Sequence, residues 1–144
     1  MNPAGDLITF DLARRLQRAG LPWRPAWGDY FHIPDRHLDD RVFMLADLSV
    51  EVTTLADGIG AITFNGAVEW SLDYILTQDV VWVPTETQLR SSLGTHLIGL
   101  SVDGDMLVCE ITLSDGTPER HRGASASEAY GRALLSLLSA DANR

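Results

Sequence analysis

A chain of 144 residues with 45% hydrophobic and 22% charged side chains has the make-up of one folded domain and excludes a disordered or low-complexity polypeptide. Eleven basic residues stand against twenty acidic ones, a formal net charge of −9. That sign opposes nucleic-acid backbones and anionic membranes, which owe their protein affinity to basic groups.

All the basic residues are arginine. Without lysine, neither a P-loop nor a Schiff-base enzyme has its essential amine. The longest apolar run, Val80-Val81-Trp82-Val83-Pro84, falls far short of the roughly 20 residues that span a bilayer. Asp6 and Asp11 interrupt any charged-then-apolar leader, and the single cysteine can form neither an internal disulfide nor a cysteine cage. The expectation is one soluble, acidic, cytoplasmic domain over residues 1–144, with no cofactor and no metal.

In chain order, Thr9 is placed to cap a first helix whose apolar stripe is Leu12, Ala13, Leu16 and Ala19, with Gly20 as its C′ residue. Asp11 and Arg15 are spaced for an i,i+4 pair. Pro22 and Pro25 make the next stretch a loop, yet it carries Trp23 and Trp27. Tyr30 to Ile33, Val42 to Asp47, Ser49 to Leu55 and Gly60 to Asn65 read as strands. A three-residue loop, Ala56-Asp57-Gly58, pairs Val52 with Ile62 and Val50 with Phe64, which keeps the apolar alternation on one face.

Asn65 or Gly66 then caps an expected second helix from Ala67 to about Thr77, followed by a strand from Asp79 to Pro84. Thr85-Glu86-Thr87-Gln88 is a capping box opening a short helix that Gly94 closes. Leu97 to Val102 and Asp105 to Leu113 flank Asp103-Gly104. A type I′ turn there pairs Leu100 with Leu107 and Ile98 with Cys109. Glu119 to Arg122 suits a charged edge strand. Ser125-Ala126-Ser127-Glu128 caps a last helix to about Ser139, buried through Ala126, Ala129, Ala133, Leu134, Leu137 and Leu138. Hairpins dominate over βαβ units, so the fold class is α+β: a single domain whose largely antiparallel sheet is packed by the N- and C-terminal helices.

Motifs for chemistry are few. Gly58-Ile59-Gly60 precedes a strand where a dinucleotide fingerprint must follow one, and Gly123 to Ser127 stops short of a nucleophile elbow. Cys109 points inward in the expected register, as a buried inert thiol. His32, Asp35 and His37, and the acidic Asp39-Asp40, match no metal-ligand spacing, so a solvated polar loop is the default there. Arg14, Arg15 and Arg18 read as a solvated face. On the expected second helix, Glu69 and Asp73 stand i,i+4, as do Trp70 and Tyr74.

Three stretches carry a resemblance: Ala19-Gly20-Leu21-Pro22-Trp23 through Gly28-Asp29-Tyr30-Phe31, Asp39-Asp40-Arg41-Val42-Phe43, and Phe64-Asn65-Gly66-Ala67-Val68-Glu69-Trp70-Ser71-Leu72-Asp73. Over most of residues 12 to 94 and the last helix, the chain resembles a family of small bacterial proteins carried under a pilus-assembly CpaE label. Pilus-assembly proteins of that name are P-loop ATPases, and this chain has no lysine, so the resemblance brings over no activity and no catalytic residue. The order of elements is also similar in architecture to secretion chaperones of type III systems, an analogy of fold.

No nucleophile, base and orienting partner can be assembled from the sequence. The expected function is a non-enzymatic protein-binding module, adaptor-like or chaperone-like. Its expected binding residues are Trp23, Trp27, Tyr30, Glu69, Trp70, Asp73 and Tyr74, with the aromatics as anchors and the carboxylates at the rim. The expected partner is a protein or a second copy of the chain, not nucleic acid or membrane. The alternative is a small hydrolase or metal-assisted enzyme using Glu69 and Asp73 as its carboxylate pair.

Overall fold

Thr9 opens the first helix, α1 (Phe10–Arg18), by accepting the amide of Leu12 on its hydroxyl at 3.2 Å. Leu12, Ala13 and Leu16 are buried along one side. The helix ends in paired reverse bonds, Leu21 N–H to Leu16 C=O and Gly20 N–H to Gln17 C=O, each 3.0 Å. This Schellman ending needs a left-handed residue at C′, and Gly20 supplies it with φ 98°. Asp11 and Arg15 are both exposed, and no ion pair joins them: water solvates each charge more cheaply than a fixed pairing of two mobile side chains.

The structure, a computed structural model, describes residues 7–34, 41–45, 50–54, 60–64, 74–76 and 79–143. Its fold is α+β, with every strand pairing antiparallel and three sheets of three strands. The chain divides into two compact units, Met1–Pro22 with Pro84–Arg144, and Trp23–Val83.

Among the described residues of the second unit are six short strands: β1 (Tyr30–His32), β2 (Phe43–Met44), β3 (Val50–Thr54), β4 (Gly60–Phe64), β5 (Tyr74–Leu76) and β6 (Val81–Val83). They form two sheets, β2-β1-β6 and β3-β4-β5. Phe31 opposes both Phe43 and Trp82, is wholly buried, and stacks on Phe43 with ring centroids 5.6 Å apart. Val52 pairs with Ile62 and Val50 with Phe64, the register a three-residue loop requires; the loop itself, 55–59, lies outside the described residues. One expectation is corrected. Residues 74–76 are strand, not the end of a helix, and pair with β4 from Ala61–Leu76 to Thr63–Tyr74. Tyr, Ile and Leu in succession suit a pleated surface, and β4 offers them a ladder that local helical spacing does not.

The first unit continues with α2 (Glu86–Leu93), opened by a full capping box between Thr85 and Gln88, and a 3-10 turn, Gly94–His96. Then come β7 (Leu97–Asp103), β8 (Met106–Thr112), β9 (Pro118–Gly123) and α3 (Ala126–Ala142). The sheet order is β7-β8-β9, so β7 and β9 are its edges.

The β7–β8 register departs from expectation. Leu100 pairs with Cys109 and Val102 with Leu107, because the turn is Gly104-Asp105 rather than Asp103-Gly104. Gly104, at φ 65°, takes the first turn position, where both hairpin turn types require a positive φ. The shift is by two residues, so the apolar side chains stay on one face. A bulge between Leu97 and Gly99 breaks the regular ladder.

Helix α3 lies against β8 and β9 on the face that carries Cys109, Ile111, His121 and Gly123. It buries Ala129, Tyr130, Ala133, Leu134 and Leu137, while Ala126 and Leu138 are only half-buried. Both α1 and α2 pack on α3. At Gly131 an added methyl would meet Leu12 Cδ2 at 2.8 Å, so the bare backbone there lets α1 come close. The opposite sheet face carries the exposed ion pairs Arg120–Glu110 and Arg122–Asp103 around the buried Val108.

Candidate functional site

The expected aromatic anchors fall into different environments. Trp23 is half-buried, its ring parallel to Trp82 at 6.5 Å, and its indole N–H donates to Asp29 Oδ2 at 2.9 Å. The same oxygen accepts the Ala26 amide at 3.0 Å, and Asp29 is 4% exposed. Trp23 therefore packs and fastens its own loop. Trp27, on that loop, is 58% exposed, and Tyr30 is half-buried on β1. Tyr74 sits in β5, so the helical spacing that put it on one face with Trp70 does not apply. Glu69, Trp70 and Asp73 lie outside the described residues. Asp29 is the residue the sequence reading passed over; its signal was the proline-rich, tryptophan-bearing loop that needs a buried acceptor to hold it.

A second feature is a cleft of about 690 Å³ within the first unit. Arg15 and Arg18, in the last turn of α1, line one side and His121 of β9 the floor. From α3 come Arg132, Leu135, Ser136 and Ser139. A serine, a carboxylate and an imidazole meet here, but in an order unsuited to hydrolysis. Glu119 Oε1 accepts both the Ser136 hydroxyl at 2.6 Å and His121 Nε2 at 2.9 Å. A nucleophilic triad places the imidazole between serine and carboxylate, so that it can take the serine proton. Hydrogen bonds first from Ser136 and then from His121 hold the Glu119 carboxyl below the usual carboxylate range, which makes it a poor base.

The other reactive groups are also withdrawn. Burial, reinforced by Glu110, pushes the Cys109 thiol up to about 11. Burial also raises the Tyr130 hydroxyl, with Glu86 and Cys109 adding to it. His96 Nδ1 lies 2.8 Å from the Thr112 carbonyl. Among the described residues no three His, Cys, Asp or Glu side chains gather where they could hold a metal ion; His32 is buried on β1, while Asp35 and His37 lie outside those residues.

The third feature is the edge strand β7. Ile98, Leu100 and Val102 are 59, 37 and 74% exposed. Leu100 and Val102 share the face on which α3 covers β8, but the cover does not reach them. The other edge, β9, carries Glu119, Arg120, His121 and Arg122, the charged edge expected from the sequence. Among the described residues no helix is long and apolar enough to cross a membrane. The chain matches no protein-family model, no curated protein and no solved structure.

Proposed function

We propose that this chain is a non-enzymatic protein-binding module, adaptor-like in character, whose contact surface is the open edge of β7 and whose partner there is a second copy of itself. The observation that carries the reading is the contrast between the two edges of one sheet. β9 is charged along its length, whereas β7 has no charge from Leu97 to Val102 and exposes three large apolar side chains. Edge strands left in that state are templates for strand addition.

The strand is complementary to itself. Two β7 strands run antiparallel about Ser101 put Leu100 opposite Val102 of the second copy, both on one face, while Ile98, in the bulge, falls opposite the turn at Gly104. The two Asp103 carboxylates then fall at opposite ends, so like charges do not meet. Burying the exposed fraction of each apolar side chain contributes about 1 kcal/mol. Against an association cost of about 4–15 kcal/mol, four such side chains and the added backbone hydrogen bonds support at most a weak dimer, with a dissociation constant on the order of 0.1 mM.

Sedimentation equilibrium from about 0.02 to 1 mM tests this across the expected constant. The expected result is a monomer–dimer equilibrium that Val102→Lys shifts fully to monomer. A chain that stays monomeric throughout, or a dimer indifferent to Val102→Lys and Leu100→Lys, overturns the reading.

A further inference from the structure

The cleft beside α1 is basic in a chain whose net charge is −9. Two of its nitrogen-bearing side chains already have partners. Arg132 pairs with Glu128 at 2.6 Å and donates to the Arg122 carbonyl at 2.8 Å, while His121 is held by Glu119. Arg15 and Arg18 have no ion pair among the described residues, and both are exposed. They stand i,i+3 on one helix face, where like charges repel. Their position at the C-terminal end of α1 suits the helix dipole, but one cation would satisfy it. Two guanidinium groups without an ion pair among the described residues thus line a concavity together with Arg132 and the exposed Ser139.

That arrangement selects among anions. A carboxylate has two oxygens and is satisfied by one guanidinium fork; two forks and a hydroxyl match the three oxygens and double charge of a phosphate monoester. A volume of about 690 Å³ holds much more than an ion, and Leu135 gives the cleft an apolar lining. We infer that this cleft binds a small organic phosphate, its phosphoryl group held by Arg15 and Arg18 with Ser139 and its organic part resting on Leu135. Because Ser136 and His121 are committed to Glu119, the bound ester is held and not cleaved.

The test is calorimetric and NMR titration of the full chain with phenyl phosphate and with inorganic phosphate. Phenyl phosphate is expected to bind saturably, one per chain, and about tenfold more tightly than inorganic phosphate, with shifts in the Arg15 and Arg18 side-chain N–H signals. Arg15→Gln and Arg18→Gln should each weaken it about tenfold at an unchanged unfolding midpoint, since both side chains are exposed. Arg24→Gln, an exposed arginine outside the cleft, should leave binding unchanged. Non-saturating binding, or equal losses in Arg24→Gln and Arg18→Gln, reduces the effect to general charge and overturns the site. Tighter binding of a short single-stranded oligonucleotide than of phenyl phosphate overturns the ligand class.

Discussion

Gly123 and Ala129 are in such close approach that a methyl added to Gly123 would stand 2.5 Å from the Ala129 backbone nitrogen. The φ of Gly123 is not positive, so its requirement is one of space alone: the end of β9 runs directly under the first turn of α3. Gly123→Ala must push backbone against backbone, and it is expected to cost about 2–3 kcal/mol in denaturant unfolding. Gly131→Ala is the contrast. Its added methyl meets the flexible end of Leu12, and the gain in helix propensity of about 1 kcal/mol offsets the crowding. Its expected loss is under about 1 kcal/mol.

The carboxylate of Asp29, itself buried, holds two donors of its own loop. Asp29→Ala leaves the Trp23 indole N–H and the Ala26 amide without their acceptor, at an expected cost of about 2 kcal/mol. In proton NMR, the Trp23 indole signal should move toward the solvated position and exchange faster. An unmoved indole signal would contradict the role assigned to Asp29.

Cys109 lies on the face of β8 covered by α3, with its thiol pushed up to about 11, so at about pH 8 it is protonated as well as inaccessible. A thiol reagent should fail to label the native chain on the timescale of minutes and label it fully in denaturant. Rapid native labelling would mean that α3 lifts from β8.

The lowered ionisation of Glu119 links the cleft to acid stability. A carboxyl whose folded value lies below its unfolded one adds stability above the unfolded value, and loses it as pH falls through the folded value. Ser136→Ala removes the larger cause of that lowering. The variant should therefore be less stable than the parent at neutral pH, by about 1 kcal/mol. The gap should shrink as pH falls below the ordinary carboxylate range. Denaturant unfolding at a series of pH values measures it; a gap constant with pH would place the Ser136 effect in packing.

Sequence reading reached furthest where local chemistry and periodicity agree. Thr9, Thr85 and Ser125 cap the helices expected of them, because each hydroxyl satisfies an amide three residues on, a purely local bond. The β3–β4 register was legible because one pairing alone kept Val50, Val52, Ile62 and Phe64 together. The β7–β8 turn was not, since a shift by two residues preserves every face and leaves Gly104 to decide between positions. Tyr74 to Leu76 were misread because three residues satisfy both periods, and only the partner strand β4 distinguishes them. For the candidate sites the limit is non-local. Arg15 and Arg18 read as a solvated stripe, and nothing within α1 announces that Ser136 and His121 will face them across a cleft. Asp29 had only the composition of its loop to mark it: its partner Trp23 lies six residues back, beyond any capping pattern.

The asymmetry of the β7-β8-β9 sheet also bears on how far association can run. Growth of a fibre needs every added chain to present a fresh reactive edge. In the proposed dimer the pairing of two β7 strands would consume one edge of each β7-β8-β9 sheet and leave β9 outermost, with Pro118 lacking an amide and four ionisable side chains in succession after it. A two-fold contact of this kind is complete at a pair of chains, so the β7 edge by itself is expected to lead to dimers and not to filaments.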